Sequence, residues 1–320
     1  YIDNDIIKSE VDKIFYDHPV PIALSAELKE NNSYKATKAI DTPLLITRGE
    51  DGVVRAFINI CKHRGAPVCP EGIGQKSKFN CTYHGWMYDN TGNLVNIFKS
   101  DTFGDIDTTK IKLTELFCEE RSGFIWACLN PDIKYDLDEW MNGFDSELRD
   151  IDLKNWHLFK SIKINGPMWK ICWDGYTDGY HHHMVHPETV GKNTIVNLIA
   201  HDTYGPHQRF AFGLKNINEL SDIEEKDWEP ENHLRLIHSV FPNSSISAIQ
   251  NQHCLVSIIF PTPDLQGTIT TQYILCLKEP KTKEEIKEAE NFAELSRAAI
   301  IDEDYPINFK IQETIHSKAN

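Results

Sequence analysis

The sequence predicts an α+β protein in two parts. An all-β unit spans residues 18–131. A second unit, 132–320, combines an antiparallel sheet with a long C-terminal helix. In the first part, short apolar runs alternate with hairpin turn signals. In the second, six strand-like runs (194–204, 208–214, 233–241, 245–250, 254–260 and 268–277) are spaced as antiparallel neighbours would be. Thr282-Lys-Glu-Glu285 then reads as a capping box opening a long helix that carries Ile286, Phe292, Leu295 and Ala299.

In chain order, Ile6, Ile7, Val11, Ile14 and Phe15 share roughly one helical face, so residues 3–15 form a short amphipathic helix. Residues 1–17 are expected to pack on the second unit. Pro43–Thr47 and Val53–Ile58 flank the turn Glu50-Asp51-Gly52. Trp86–Tyr88 and Asn93–Val95 flank Asp89–Gly92. Ser122–Leu129 is a strand closed by Asn130-Pro131. Residues 136–152 are acidic and weakly patterned, as a connector would be. His157–Asn165 is a strand broken by Gly166-Pro167. Met168–His186 contains no proline and reads as a helix or broken helix ending before Pro187. A strand meander closed by a long helix suits a helix-grip arrangement, and other α+β arrangements equally.

Of 320 residues, 40% are hydrophobic and 25% charged, as in ordinary soluble proteins. The net charge of -15 argues against nucleic acid or an anionic membrane as partner. There is no apolar run of eighteen residues, so no membrane-spanning helix is expected. The chain neither begins with Met nor opens on a signal-peptide pattern. A trimmed form, or the ordered part of a longer protein, is expected. The eight scattered cysteines do not read as a disulfide framework. Six of them are expected to be free buried thiols in a reducing compartment, the cytoplasm.

The other two belong to the clearest motif. Cys61-Lys-His63 and Cys81-Thr-Tyr-His84 are half-sites, with seventeen residues between His63 and Cys81. Two thiolates and two imidazoles suit a [2Fe-2S] cluster with one iron held by sulfur and the other by nitrogen. Zinc is the competing reading, but each half-site here mixes Cys with His, whereas zinc fingers pair like with like. Gly65 and Gly85 allow tight loops around the histidines. This C-x-H-x17-C-x2-H pattern resembles the Rieske family, in the form typical of the terminal oxygenases of Rieske non-heme iron systems. The resemblance implies an all-β Rieske domain at 18–131 and a START-like helix-grip catalytic domain at 132–320.

A second concentration of chemistry is Asp178-Gly-Tyr-His181-His182-His183-Met-Val-His186-Pro187. Two histidines plus a carboxylate leave open positions on a metal. His182 and His186, four apart, share a helical face. His181 and His186 lie about 140° apart on an ideal helix. The resemblance selects His181 and His186, because the family pattern D-x2-H-x4-H falls on Asp178, His181 and His186. It requires unwinding, which Pro187 and Gly179 make reasonable. His183 is expected at the pocket wall or in solvent. The third ligand implied is Asp304, in a stretch resembling E-D-x7-Q that ends at Gln312, with Asp302 as the alternative. Asp178 would bridge His84 of one subunit and His181 of its neighbour. Gly175 stands where family members carry an Asn, which suggests a roomier pocket.

The resemblance implies an O2-dependent mono- or dioxygenase with a [2Fe-2S] cluster and a mononuclear Fe(II). NAD(P)H electrons would arrive through a separate reductase, with or without a ferredoxin. No G-x-G-x-x-G motif suggests dinucleotide binding here. The substrate would be a small organic molecule, by default aromatic, and the assembly a homotrimer with or without a beta subunit. A Rieske electron carrier and a START-like binding module with structural zinc are the other readings. Tyr176, Tyr180, Phe210, Phe212, Asn251 and His253 are candidate pocket residues, or core residues on the plainer view.

Overall fold

The structure, a computed structural model, describes residues 1–250 and 252–317. These separate into two compact units. One comprises Ser9–Glu139 and Leu148–Asn155. The other comprises Tyr1–Lys8, Trp140–Glu147 and the residues from Trp156 onward.

The expected first helix is present, as α1 (Asn4–Glu10) running into a π-helical segment, Val11–Tyr16. Ile7 of α1 packs with Met168 and Ile171 of the second unit's own core. Ten short strands follow: β1 (Val20–Leu24), β2 (Ser33–Ala39), β3 (Thr42–Arg48), β4 (Val54–Ile58), β5 (Gly72–Gln75), β6 (Lys78–Asn80), β7 (Met87–Asp89), β8 (Leu94–Asn96), β9 (Cys118–Arg121) and β10 (Phe124–Ala127). They form three antiparallel sheets in the orders β1-β10-β9, β4-β3-β2-β5 and β6-β7-β8. The hairpins predicted at 50–52 and 89–92 are β3–β4 and β7–β8. Phe57, Phe79, Trp86 and Tyr88 build the core under the two motif loops, and Cys61 and Cys81 belong to the same core. This core anchors the loops, because a fully buried aromatic side chain contributes roughly 1.5–3 kcal/mol.

After two short helices, α2 (Leu137–Met141) and α3 (Asp145–Arg149), the second unit is built on a seven-stranded antiparallel sheet. Its strands are β11 (His157–Gly166), β12 (Thr194–Tyr204), β13 (His207–Leu214), β14 (Leu234–Val240), β15 (Ser244–Gln250), β16 (His253–Pro261) and β17 (Thr268–Cys276). Their order is β11-β17-β16-β15-β14-β13-β12. Every link in it except β11–β17 joins strands consecutive in sequence, so the sheet is a meander closed by the first strand. Residues 168–186 form a broken helix: α4 (Trp169–Thr177), a non-helical link, and one turn, α5 (His182–Val185). The C-terminal helix is α6 (Lys283–Ala298), then a π-helical segment Ala299–Asp304, then α7 (Tyr305–Thr314). Phe292 and Ala293 pack on Leu255 and Ile274 of the sheet. Ile300 and Tyr305 pack on Ile164, Cys172 and Ile259. Ile286 and Leu295 stay exposed, so the buried face of α6 is narrower than its sequence pattern suggests.

All eight cysteines are free. Among the described residues, no helix is long and apolar enough to cross a membrane.

The capping box at Thr282 forms as expected. Thr282 Oγ1 accepts the Glu285 N–H at 3.1 Å, and the Glu285 carboxylate accepts the Thr282 N–H at 2.8 Å. Thr282→Ala should lower unfolding stability by about 1 kcal/mol in urea titrations. An unchanged midpoint would show that the cap contributes nothing.

Candidate metal centres and the cavity beside them

The two motif loops are near copies of each other. Cys61 N–H bonds the Ala66 carbonyl at 2.8 Å, and Gly65 N–H bonds the Cys61 carbonyl at 2.9 Å. In the second loop, Cys81 N–H bonds the Trp86 carbonyl and Gly85 N–H bonds the Cys81 carbonyl, both at 2.9 Å. Gly65 and Gly85 have φ of 76° and 69°, the left-handed region where glycine carries no Cβ penalty. The loops bring the His63 and His84 rings to 4.6 Å between centroids, and the Cys61 and Cys81 thiols into mutual contact. Trp86 stacks on His63 at 4.9 Å and 7°.

The surroundings suit a cluster. His63 Nδ1 is buried with no hydrogen-bond partner among the described residues, which leaves it available to a metal. The backbone N–H groups of Tyr83 and His84 point at Cys81 Sγ, although burial outweighs them and raises that thiol's pKa. The Tyr88 hydroxyl accepts the Lys62 N–H at 3.0 Å and lies 3.4 Å from Cys61 Sγ, so its own proton is free to point at the sulfur. Hydrogen bonds of this kind tune cluster potentials.

In the second unit, His181, His186 and Asp304 converge. His181 Nε2 and His186 Nε2 are 3.2 Å apart, and Asp304 Oδ1 lies 3.3 Å from the first and 2.9 Å from the second. Donors about 2.1 Å from a metal at right angles to each other are separated by about 3 Å. The set therefore fits one ion with the other coordination positions open. The sequence problem of five-residue spacing is resolved by local unwinding. His181 precedes the single turn of α5 and His186 ends it, with φ -118° and ψ 47°.

The alternatives considered from sequence lie elsewhere. His182 is buried; burial first, then its neighbouring histidines, lowers its pKa to about 3, so it stays neutral. Its ring packs 5.3 Å from Phe212. Asp302 is exposed and pairs with Arg297 at 2.8 Å. His183 is exposed. Gln312 ties helices together instead: its Oε1 accepts the Met168 N–H at 2.7 Å, just before α4. Asp178 is half exposed, with Oδ2 3.7 Å from His181 Nδ1.

Glu303, which the sequence did not single out as functional, orients His186. Its carboxylate accepts from His186 Nδ1 and from the Thr189 hydroxyl, each at 2.7 Å. His186 is thus held at both ring nitrogens by adjacent carboxylates. Burial pulls its pKa down, but Asp304 and Glu303 outweigh burial and leave it raised. Burial pushes Asp304 up, and the two histidines more than offset it and hold the carboxyl low.

Two cavities adjoin the converging side chains. One, of about 310 Å³, is lined by His181, His182, His186 and Asp304 and by Tyr176, Arg235, Ile237, Leu255 and Phe292 among others. The second, of about 460 Å³, shares Gly175, His181 and Asp304 with it and adds Asp178. Of the pocket candidates named from sequence, only Tyr176 lines the first cavity. Tyr180 is exposed, Phe210 and Phe212 are buried in a core cluster, and His253 lines a different depression. Asn251 lies outside the described residues. The extra room expected at Gly175 is filled: the Asn308 amide sits 2.8 Å from where a Cβ would be.

Comparison with known proteins finds two matching family models. The model described as "Ring hydroxylating alpha subunit (catalytic domain)" matches residues 153–320, and "Rieske [2Fe-2S] domain" matches 18–109. The chain belongs to the ring-hydroxylating alpha-subunit family of Rieske proteins. Its cofactors are those of the family, a [2Fe-2S] cluster and a mononuclear iron. It is 31% identical to the anthranilate 1,2-dioxygenase large subunit of Burkholderia cepacia over 76% of this chain and 65% of that one. It is 26% identical to the carnitine monooxygenase oxygenase subunit of Escherichia coli (strain K12) over 58% of this chain and 50% of that one. The chain thus spans between half and two thirds of these relatives. A solved quaternary ammonium Rieske monooxygenase superposes with a TM-score of 0.86 at 22% identity, over 100% of this chain and 84% of that one. The fold expected from sequence is therefore the one found.

Glu303→Gln should weaken iron binding by roughly 10–100-fold, the usual effect of losing such an orienting partner. Iron retention during titration with a chelator measures it, and unchanged retention would show that His186 needs no orientation.

Proposed function

We propose that the chain is the terminal oxygenase of a multicomponent Rieske system acting on a small organic molecule. The observation that carries this reading is the convergence of His181, His186 and Asp304 on the wall of a cavity, in a chain that also presents Cys61, His63, Cys81 and His84 on paired loops. Cys61, His63, Cys81 and His84 hold the cluster, and His181, His186 and Asp304 hold the iron. When bound, these groups supply single-electron transfer and O2 activation. A reductase, with or without a ferredoxin, supplies the electrons.

The residues of the chain have separable tasks. Glu303 accepts a hydrogen bond from the Nδ1–H of His186, so the Nε2 lone pair faces the ion. The apolar wall of Ile237, Leu255 and Phe292 excludes water and receives the body of the substrate. Asp178 lies beside His181 with its side chain partly in solvent; its Oδ1 accepts the Tyr180 N–H at 2.8 Å, and its Oδ2 can accept a hydrogen bond from His84 of another copy of this chain. A closed head-to-tail ring of three copies satisfies that arrangement at every subunit. Hydroxylation, dihydroxylation and demethylation all remain products of such a site. The named relatives act on an aromatic acid and on a quaternary ammonium compound.

Metal analysis separates this reading from an electron carrier and from a zinc-holding binding module. The oxygenase requires about three Fe and two labile sulfides per chain, from the two donor sets. Two Fe, or stoichiometric zinc, would overturn it. Asp178→Ala should leave both metal centres occupied and abolish turnover with a surrogate reductase. Retained turnover would remove Asp178 from the electron path.

A further inference from the structure

We infer that Arg235 is an anion anchor in the cavity beside His181, His186 and Asp304, and that the substrate carries a carboxylate or sulfonate. The inference rests on the site proposed above and names the class of molecule it takes.

Arg235 and Ile237 are two apart on β14, so they share a face of the sheet, and both line the cavity of about 310 Å³. Arg235 Nε donates to Thr194 Oγ1 at 3.1 Å. The Thr194 hydroxyl in turn donates to the Val190 carbonyl at 2.7 Å, so its oxygen is fixed as the acceptor and the guanidinium plane is oriented. A guanidinium carries five N–H donors. Among the described residues no carboxylate pairs with this one.

That is unusual in this chain, which has a net charge of -15. Arg48 pairs with Glu120, Arg121 with Glu119, Arg209 with Glu147 and Asp202, and Arg297 with Glu294 and Asp302. The partly buried arginines elsewhere are thus matched to acids, while the one facing the cavity is not. Removing a cation from water without a counter-charge is unfavourable. Burial accordingly lowers the pKa of Arg235, and no nearby carboxylate raises it. Arginine nevertheless stays charged, so the cavity holds a fixed positive end that a ligand can neutralise.

Ser247, on the neighbouring strand β15, also lines the cavity, and its hydroxyl has no partner among the described residues. It offers a second donor to an anionic head. The C-terminal helix adds Phe292 and Ile300 to the cavity lining, and Leu255 on the neighbouring strand β16 adds to their apolar surface. A small acid bound by its head at Arg235 would present its body to the iron ligands. The two oxygens of a carboxylate, or two of the three of a sulfonate, match the guanidinium fork, which a neutral amide does not.

Binding to the purified holoenzyme under anaerobic conditions tests this without turnover. Isothermal titration would compare matched pairs: benzoate with benzamide, benzenesulfonate with benzenesulfonamide, and 4-(trimethylammonio)butanoate with its amide. For at least one pair the anion should bind at least tenfold more tightly than its amide. In Arg235→Gln that preference should fall to within twofold, with the amide affinity and the iron content unchanged, and Arg235→Lys should restore part of it. Wild-type protein that binds no anion more tightly than its amide overturns the inference, whether or not the variants fold. So does an Arg235→Gln variant that keeps the anion preference, or that weakens acid and amide alike. Failure of the oxygenase reading would appear separately, in the metal content, and would leave the anion preference intact.

Discussion

The organisation of the second unit depends on one imidazole held from both sides. His186 Nδ1 is engaged by Glu303 and Nε2 faces Asp304, and these carboxylates are neighbours in sequence. On a regular α-helix, neighbouring side chains diverge by about 100°. Both reach the same ring at the end of the π-helical segment Ala299–Asp304. The same ring fixes His181, 3.2 Å away, and so the unwound link from α4 to α5. The helix break, the π-turn and the converging donors are therefore one structural solution.

The paired loops of the first unit show a different economy. Each uses a backbone hydrogen bond onto its cysteine and a left-handed glycine, so a short sequence builds half of a binding site. Their rigidity comes from below, where Phe57, Phe79 and Tyr88 are buried. Tyr88 serves both purposes, filling the core with its ring and addressing Cys61 with its hydroxyl.

These two sites differed in how much of them could be read from the chain. The candidate cluster ligands Cys61, His63, Cys81 and His84 were legible because each half-site is local and its spacing is unaffected by distant packing. The fold class was legible from the strand spacing and from the cap at Thr282. For the histidines helical periodicity favoured His182 with His186, and for Asp304 against Asp302 it gave no choice, because both pairs lie where the helix is interrupted. The family pattern was needed there, and the geometry it implied is the one the structure brings together. Glu303 adjoined a predicted ligand, and that adjacency was the available signal. Arg235 offered none: on a strand, an arginine among apolar residues reads as ordinary alternation. Short strands containing glycine, such as β5, were missed because local composition favours turns and pairing with β2 decides the outcome. Most of the pocket guesses failed for a related reason: an aromatic on a strand, like Phe212, is as readily packed beneath a site as facing it, and the one that lines the cavity, Tyr176, sits on helix α4.

His181 and Asp304 border both cavities, and His186 one of them. On the proposed reading, reactant occupies one chamber, while Asp178 borders the other and receives charge from a neighbouring subunit. Fuel and cargo then reach the same ion by separate doors. A small acid lodged against Arg235 would stop chemistry as an inhibitor without blocking reduction. A molecule wedged beside Asp178 would leave the reactant in place and starve it of electrons. Selective interference with this enzyme thus has two independent points of entry, distinguishable by which half of the catalytic cycle still runs.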